Sequence, residues 1–314
     1  MFRARKKRVV FLFFLSLSSV HGALGQETAL EAAVGDPAPA VGILKRDELS
    51  PGEAVIVEVD AGDSLASLEG QALARHIVFW SEGAGRYRGL LGFDREDPPG
   101  AYVLTLRFRR KDGGLDSLTS ELAVREKDFG VARLRTPGGT KKPSEETLAR
   151  IRKERATVDS LLSAQTPERL WEEPFTAPLA RLTVTGDFGT GRIINGTGAS
   201  PHGGLDLRGE RGTPIVASND GIVALTADHY FAGRSIYLDH GAGLYSMYFH
   251  CEDILVRQGE RVKRGQTIGT VGMSGRATGP HLHWAFTLGR ARVDPLSVLS
   301  LPVKRREGEE AGIP

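Results

Sequence analysis

Residues 279–288 read Gly-Pro-His-Leu-His-Trp-Ala-Phe-Thr-Leu. Successive side chains on a β-strand alternate between its two faces, so His281 and His283 project together while Leu282 points the other way. Working backwards, further brief β runs occupy 214–217, 221–226, 235–239 and 243–249, with another at 266–272. Glycines punctuate them: residues 181–300 hold 20 of the chain's 39. Short strands joined by glycine turns, without helical periodicity, specify an all-β, turn-rich antiparallel domain over 181–300.

The N-terminal half is β sequence of another kind. Val55, Val57 and Val59 alternate with Ile56 and Glu58 after the turn Ser50-Pro51-Gly52. Tyr102, Leu104, Leu106 and Phe108 alternate with Thr105 and Arg107 after Asp97-Pro98-Pro99-Gly100. A further strand is expected over 76–80, and Gly83-Ala84-Gly85 and Asp112-Gly113-Gly114 read as hairpin loops. This spacing over 41–126 predicts a small immunoglobulin-like β-sandwich, a spacer or recognition module without a cluster of ligands. Residues 127–180 then form a helical connector. Pro143-Ser144-Glu145-Glu146 is a helix-start signal, and Leu148, Ile151, Val158, Leu161 and Leu162 share one face. They predict one helix over about 144–164, ended by Pro167. A charged tail follows at 301–314.

The chain of 314 residues has 41 Lys+Arg, 39 Asp+Glu and one cysteine, Cys251. A single cysteine excludes a disulfide framework, a thiolate zinc finger and an iron–sulfur cluster. Arg3, Arg5, Lys6, Lys7 and Arg8 precede an apolar run from Val9 to Val20, and Ala23-Leu24-Gly25 supplies small residues for cleavage. That pattern reads as a signal peptide over 1–25, followed by a flexible lead at 26–40. The apolar run is shorter than the roughly 20 residues a membrane span needs, so no stable span is expected after cleavage. Removing five basic and no acidic side chains takes the net charge from +2 to −3. A nucleic-acid partner is thereby disfavoured, and export to the periplasm or the cell-wall space of a bacterium is expected.

Six of the eight histidines lie beyond residue 200. Pro201-His202-Gly203-Gly204-Leu205-Asp206 holds a histidine and a carboxylate that would stand about 13 Å apart on a regular strand. The paired glycines are expected to curl the backbone and bring both side chains to one point. Tyr248-Phe249-His250 closes another β run. His202, Asp206 and one histidine of the His281/His283 pair would supply three nitrogen and oxygen ligands, leaving a position open for water. The remaining histidines would act as base, acid or oxyanion donor beside it.

The stretch from Phe188 to Leu299 resembles the lysostaphin-type (LytM-type) zinc metalloendopeptidases. It carries PHGGLDLRGERGTPIVASNDGIVA, SIYLDHGAGLYSMYFH, VRQGERVKRGQTIGTVGMSGRATGPHLHW and RVDPLSVL in order. The resemblance implies one zinc per chain, held by His202, Asp206 and His283, with His250 and His281 as catalytic histidines. It implies attack of a zinc-bound water on peptide bonds of peptidoglycan cross-links or stem peptides. Phe188-Gly189-Thr190-Gly191-Arg192 to Asn195-Gly196 is similar to the family's opening segment, which suggests Arg192 and Asn195 as groove-lining, substrate-binding residues. Residues 127–180 are a candidate for covering that groove. Cys251 departs from the family's usual apolar residue and is expected to be a buried, inert thiol. His240 stands at a turn that recurs in the family and reads as structural, whereas His229 and His76 belong to no motif.

Other templates are absent: no HExxH, no Walker loop, no GxSxG elbow and no dinucleotide fingerprint. The rhythm of 256–266 also resembles biotinyl and lipoyl carrier hairpins, but no Met-Lys-Met or Asp-Lys-Ala motif carries a modified lysine. The alternative is a non-catalytic cell-wall-binding or hydrolase-activating protein on the same fold. It predicts loss of at least one of His202, Asp206, His250, His281 and His283, and all five are present. Nothing in the sequence indicates an oligomeric state.

Overall fold

The computed structural model describes residues 40–44, 48–62, 65–134, 143–164, 166–194 and 196–303. The expected leader at 1–25, the lead up to 39, Asn195 and the tail beyond 303 lie outside the described residues. Strands dominate, with helices only at Glu145–Ser163 and Pro295–Leu299 among the described residues. Neither helix is long and apolar enough to cross a membrane.

The N-terminal half contains two four-stranded antiparallel sheets. One runs in the order Ala40–Leu44, Ala54–Asp60, Arg86–Gly92, Phe79–Gly83; the other runs Arg75–Ile77, Leu65–Ala72, Gly100–Arg110, Leu115–Val124. Val55, Val57, Val59 and Leu91 meet Leu104, Leu106 and Phe108 in one apolar cluster. The expected single strand over 76–80 is instead two strands in different sheets, with the chain crossing at Val78. Four apolar residues in a row, Ile77 to Trp80, do not reveal such a crossing, because no alternation is left to mark a break.

The C-terminal half is built on an eight-stranded sheet. Its order is Val184–Gly186, Leu205–Arg208, His281–Leu288, Leu244–Phe249, Gly233–Asp239, Gly221–His229, Arg261–Val262, with Ala291–Val293 beside His281–Leu288. Leu282, Trp284, Phe286 and Leu288 face the main core. His281, His283, Ala285 and Thr287 occupy the opposite face, as alternation requires. Pro214–Val216, Thr267–Val271 and Cys251–Ile254 form a smaller sheet.

The two halves share a core. Ala54, Ile56 and Leu90 join the cluster of Leu205, Trp284, Phe286, Leu288 and Val293. The first four residues of the Ala54–Asp60 strand are thus buried on both faces, which explains why Ile56 is apolar between two valines of the other face. Full burial of such a side chain stabilises by about 1.5–3 kcal/mol. Polar bonds reinforce the seam. Ser297 Oγ accepts from Ala54 N at 2.9 Å, and Arg292 meets Glu96 at 2.8 Å. The Arg169 guanidinium lies over both Trp80 and Trp171, 4.9 and 5.2 Å from their ring centroids.

The connector differs from its expected form. It contains a strand, Val131–Leu134, that pairs in parallel with Gly191–Ile194, a partner too distant in sequence to be seen by periodicity. Gly191–Ile194 also pairs with Thr197–Pro201, completing a three-stranded sheet. The helix Glu145–Ser163 starts at Ser144, whose hydroxyl accepts from Thr147 N at 3.2 Å. It ends ahead of Pro167, where Ala164 turns extended. Val158 and Leu161 pack against Tyr237, Met247, Ala285 and Phe249, on the sheet face that also carries His281 and His283. Tyr245 donates its hydroxyl hydrogen to Ala164 O at 2.8 Å just beyond.

Candidate metal centre

Three strands bring the polar side chains together. Leu205–Arg208 pairs with His281–Leu288 so that Asp206 stands opposite His283, and Leu244–Phe249 places Phe249 opposite His283 on the other side. Phe249 lies flat on the His283 ring, 5.4 Å between centroids and 4° between planes. His202 precedes the strand in an irregular turn, and its Nε2 lies 2.9 Å from both Asp206 Oδ1 and His283 Nδ1. Asp206 Oδ1 and His283 Nδ1 are also 2.9 Å apart.

The glycines act differently from expectation. Neither Gly203 nor Gly204 has a left-handed backbone. Gly204 matters for space: an added Cβ would overlap the Trp284 carbonyl oxygen and sit 2.8 Å from Ala285 Cβ and 2.9 Å from His283 Nε2. The first strand can therefore approach the second only because this position is bare.

Three of the site's four imidazoles are oriented from behind by a backbone carbonyl. His202 Nδ1 donates to Asp187 O, His250 Nδ1 to Ser274 O and His281 Nδ1 to Gly279 O, all at 2.8 Å. A carbonyl only accepts, so Nδ1 carries the hydrogen in each ring and Nε2 keeps its lone pair. His250 closes its strand at φ 62°, a left-handed conformation that is rare outside glycine. Its ring lies 4.8 Å from that of His281, while Cys251, next in the chain, is fully buried in the core. His281 Nε2 is 3.7 Å from Asp206 Oδ1.

Burial alone would raise the Asp206 carboxyl, but its contacts with His202 and His283 outweigh that and hold it well below the usual carboxylate range. Burial pushes His283 down to about 4 and lowers His250 as well. Both imidazoles are neutral at pH 7, the form that binds a metal or takes a proton.

The residues fit a metal ion. Three lone-pair-bearing atoms converge within 4.8 Å of one another in the His202, Asp206 and His283 group. They repel unless a cation or a shared proton lies among them. Two imidazole nitrogens and one carboxylate oxygen at this spacing are a donor set that a divalent cation would relieve of that repulsion.

Arg192 does not stand free over the groove. Its Nη2 contacts Asp206 Oδ2, the oxygen turned away from the histidines, at 2.5 Å. Asn195 lies outside the described residues. His229 is half-buried, its Nδ1 3.2 Å from the Tyr237 hydroxyl, and His76 is exposed. His240 is wholly buried, bonded to Asp220 O and Ser246 Oγ at 2.7 Å each. Phe249 stands in the Tyr248-Phe249-His250 segment without a role that spacing reveals, and Gly186, which also bears on the site, lies in no motif.

Residues 200–295 match Peptidase family M23. The chain is 40% identical over 123 residues to the peptidoglycan DD-endopeptidase ShyC of Vibrio cholerae, covering 39% of this chain and 28% of that one. It is 45% identical over 85 residues to ShyA of the same organism, covering 27% and 20%. The chain thus spans less than a third of the length of these curated relatives. A solved structure from Pseudomonas aeruginosa that carries the peptidase M23 name is 27% identical with a TM-score of 0.57, covering 81% of this chain and 96% of that one. The chain carries a LytM-type Peptidase M23 domain in its C-terminal half, and the structural likeness extends beyond that domain into the N-terminal half.

Proposed function

We propose that the protein is an exported zinc metalloendopeptidase that hydrolyses peptide bonds in bacterial peptidoglycan cross-links or stem peptides. The observation that carries this reading is the 2.9 Å triangle of His202 Nε2, Asp206 Oδ1 and His283 Nδ1. The names of the V. cholerae relatives support the substrate class. The leader-like residues 1–25 support export.

His202, Asp206 and His283 would hold one zinc ion. When bound there, zinc acidifies water and polarises a carbonyl, the two demands of amide hydrolysis. His250 and His281 flank the triangle with Nε2 lone pairs, because carbonyls hold their Nδ1 hydrogens. Either would accept the proton of the attacking water at Nε2 and, once it carries that hydrogen, donate it toward the developing oxyanion and then to the leaving amine. Phe249 restrains the His283 ring by stacking, which spares that ligand rotational entropy on binding. Residues 41–126 serve in this reading as a fixed brace for the peptidase half.

The test is to purify the chain without its leader, measure bound zinc, and follow peptide release from purified peptidoglycan. About one zinc per chain and chelator-sensitive release are expected, with release abolished by His283→Ala. Wild-type release by His283→Ala, or by the zinc-free chain, would sink the mechanism.

A further inference from the structure

Arg192 stands in the Gly191–Ile194 strand, opposite Ser200 on one side and Ala132 on the other. Its partners in the sheet thus include the strand that leaves the N-terminal half. From there its guanidinium reaches Asp206 Oδ2 at 2.5 Å, while Asp206 Oδ1 remains 2.9 Å from both histidine nitrogens. The two carboxylate oxygens are therefore divided between two tasks.

A second feature makes room for this contact. Gly186 pairs directly opposite Asp206 on the neighbouring strand. A Cβ at Gly186 would fall 2.8 Å from Asp206 Oδ2 and 2.9 Å from Arg192 Nη2. Gly186 has no left-handed backbone that would demand glycine. The bare position serves the ion pair.

We infer that Arg192 is a positioning residue: it pins the outer oxygen of Asp206 so that the inner oxygen is pre-aimed at the metal, and Gly186 keeps the space it needs. The inference rests on the metal reading given above. A carboxylate left alone rotates about its terminal bond and must be ordered when the ion arrives. One held by a charge-assisted bond has already lost that freedom. The Arg192 cation opposes the incoming ion, but it is 26% exposed and so partly screened by water, whereas the fixed carboxylate orientation acts at contact distance.

Three full-length variants test this: Arg192→Ala, Arg192→Lys and Gly186→Ala. Zinc affinity of the metal-free proteins is measured by competition with a chromophoric chelator, with cobalt(II) spectra reporting ligand geometry. Melting of the metal-free chains checks folding. Arg192→Ala is expected to weaken zinc binding about 10–100-fold, the usual loss on removing a group that orients a ligand. Arg192→Lys should recover part of it. Gly186→Ala should weaken binding in the same direction and alter the cobalt spectrum, because its Cβ meets the Asp206 outer oxygen and the Arg192 guanidinium first, with Asp206 Cβ behind them at 3.2 Å; melting of the metal-free chain shows whether the fold is kept. Wild-type zinc affinity in Arg192→Ala, with any defect confined to KM, would overturn the inference and make Arg192 a substrate contact. Unchanged affinity and spectrum in Gly186→Ala would overturn it independently. Failure of the wild-type chain itself to bind zinc would overturn the metal reading and the inference together.

Discussion

Replacing Gly204 by alanine, with Gly203→Ala beside it, separates two reasons for glycine in the His202–Asp206 turn. If backbone freedom were required, both substitutions would damage the site. The structure assigns the requirement to space at one position alone. The new Cβ at 204 would lie 2.8 Å from Ala285 Cβ, against an ordinary contact of 3.4–4 Å, and would overlap the rigid Trp284 carbonyl. The strand must then retreat by at least about 0.6 Å, a deficit set by the same contact distances. Metal–ligand distances tolerate only about 0.2 Å, so the Asp206–His283 edge opens beyond use. Overpacking of this kind costs about 1–3 kcal/mol. At Gly203 the nearest atom to an added Cβ is Arg292 Cδ at 3.8 Å, an ordinary contact. Gly203→Ala should therefore change stability by no more than about 0.5 kcal/mol, as a surface substitution does. The assay is urea unfolding of both metal-free variants, with zinc stoichiometry and peptide release in parallel. Gly204→Ala should lose zinc and at least about 1 kcal/mol, while Gly203→Ala keeps both. Equal damage from the two, or wild-type zinc binding by Gly204→Ala, would refute the steric argument.

Further outcomes are expected elsewhere. Burial holds His240 down to about 4 from 6.5, so the unfolded chain takes up a proton between those values that the folded chain refuses. Stability then falls as pH falls, by about 2 kcal/mol between pH 7 and pH 5 from this group alone, and His240→Asn should flatten the measured slope by that amount. Cys251 is fully buried and burial pushes its thiol up to about 12. A disulfide reagent should label one thiol per chain in denaturant and none in the native protein within minutes, a contrast read by absorbance. His250→Ala should keep its zinc while kcat falls about 10²–10⁴-fold, measured on peptide release with metal analysis of the same sample.

What was legible in the sequence follows the range of each interaction. Alternation in 281–288 put His281 and His283 on one face because that signal spans three residues. The Ser144 cap and the turns at Gly83–Gly85 and Asp112–Gly114 are equally local. His202 and Asp206 could be suspected of meeting, yet the reason lay in Trp284 and Ala285, some eighty residues away. Gly186 was hidden too, because its role exists only through contacts with Arg192 and Asp206 on other strands. Ile56 faces away from the alternating valines because a second core lies on that side. Long-range packing leaves no periodic mark, and most of the misreadings, from the divided strand at Val78 to the Val131–Leu134 pairing, arose there.

The continuity of the apolar interior across both halves has a thermal corollary. Heat cannot loosen the N-terminal sheets while sparing the peptidase half, because withdrawing Ile56 and Leu90 would wet the back of Trp284 and Leu288. Melting should accordingly be a single cooperative event rather than two, unlike that of beads on a linker. A chain cut between the halves would expose an oily seam, so each half depends on the other for solubility as well as for shape.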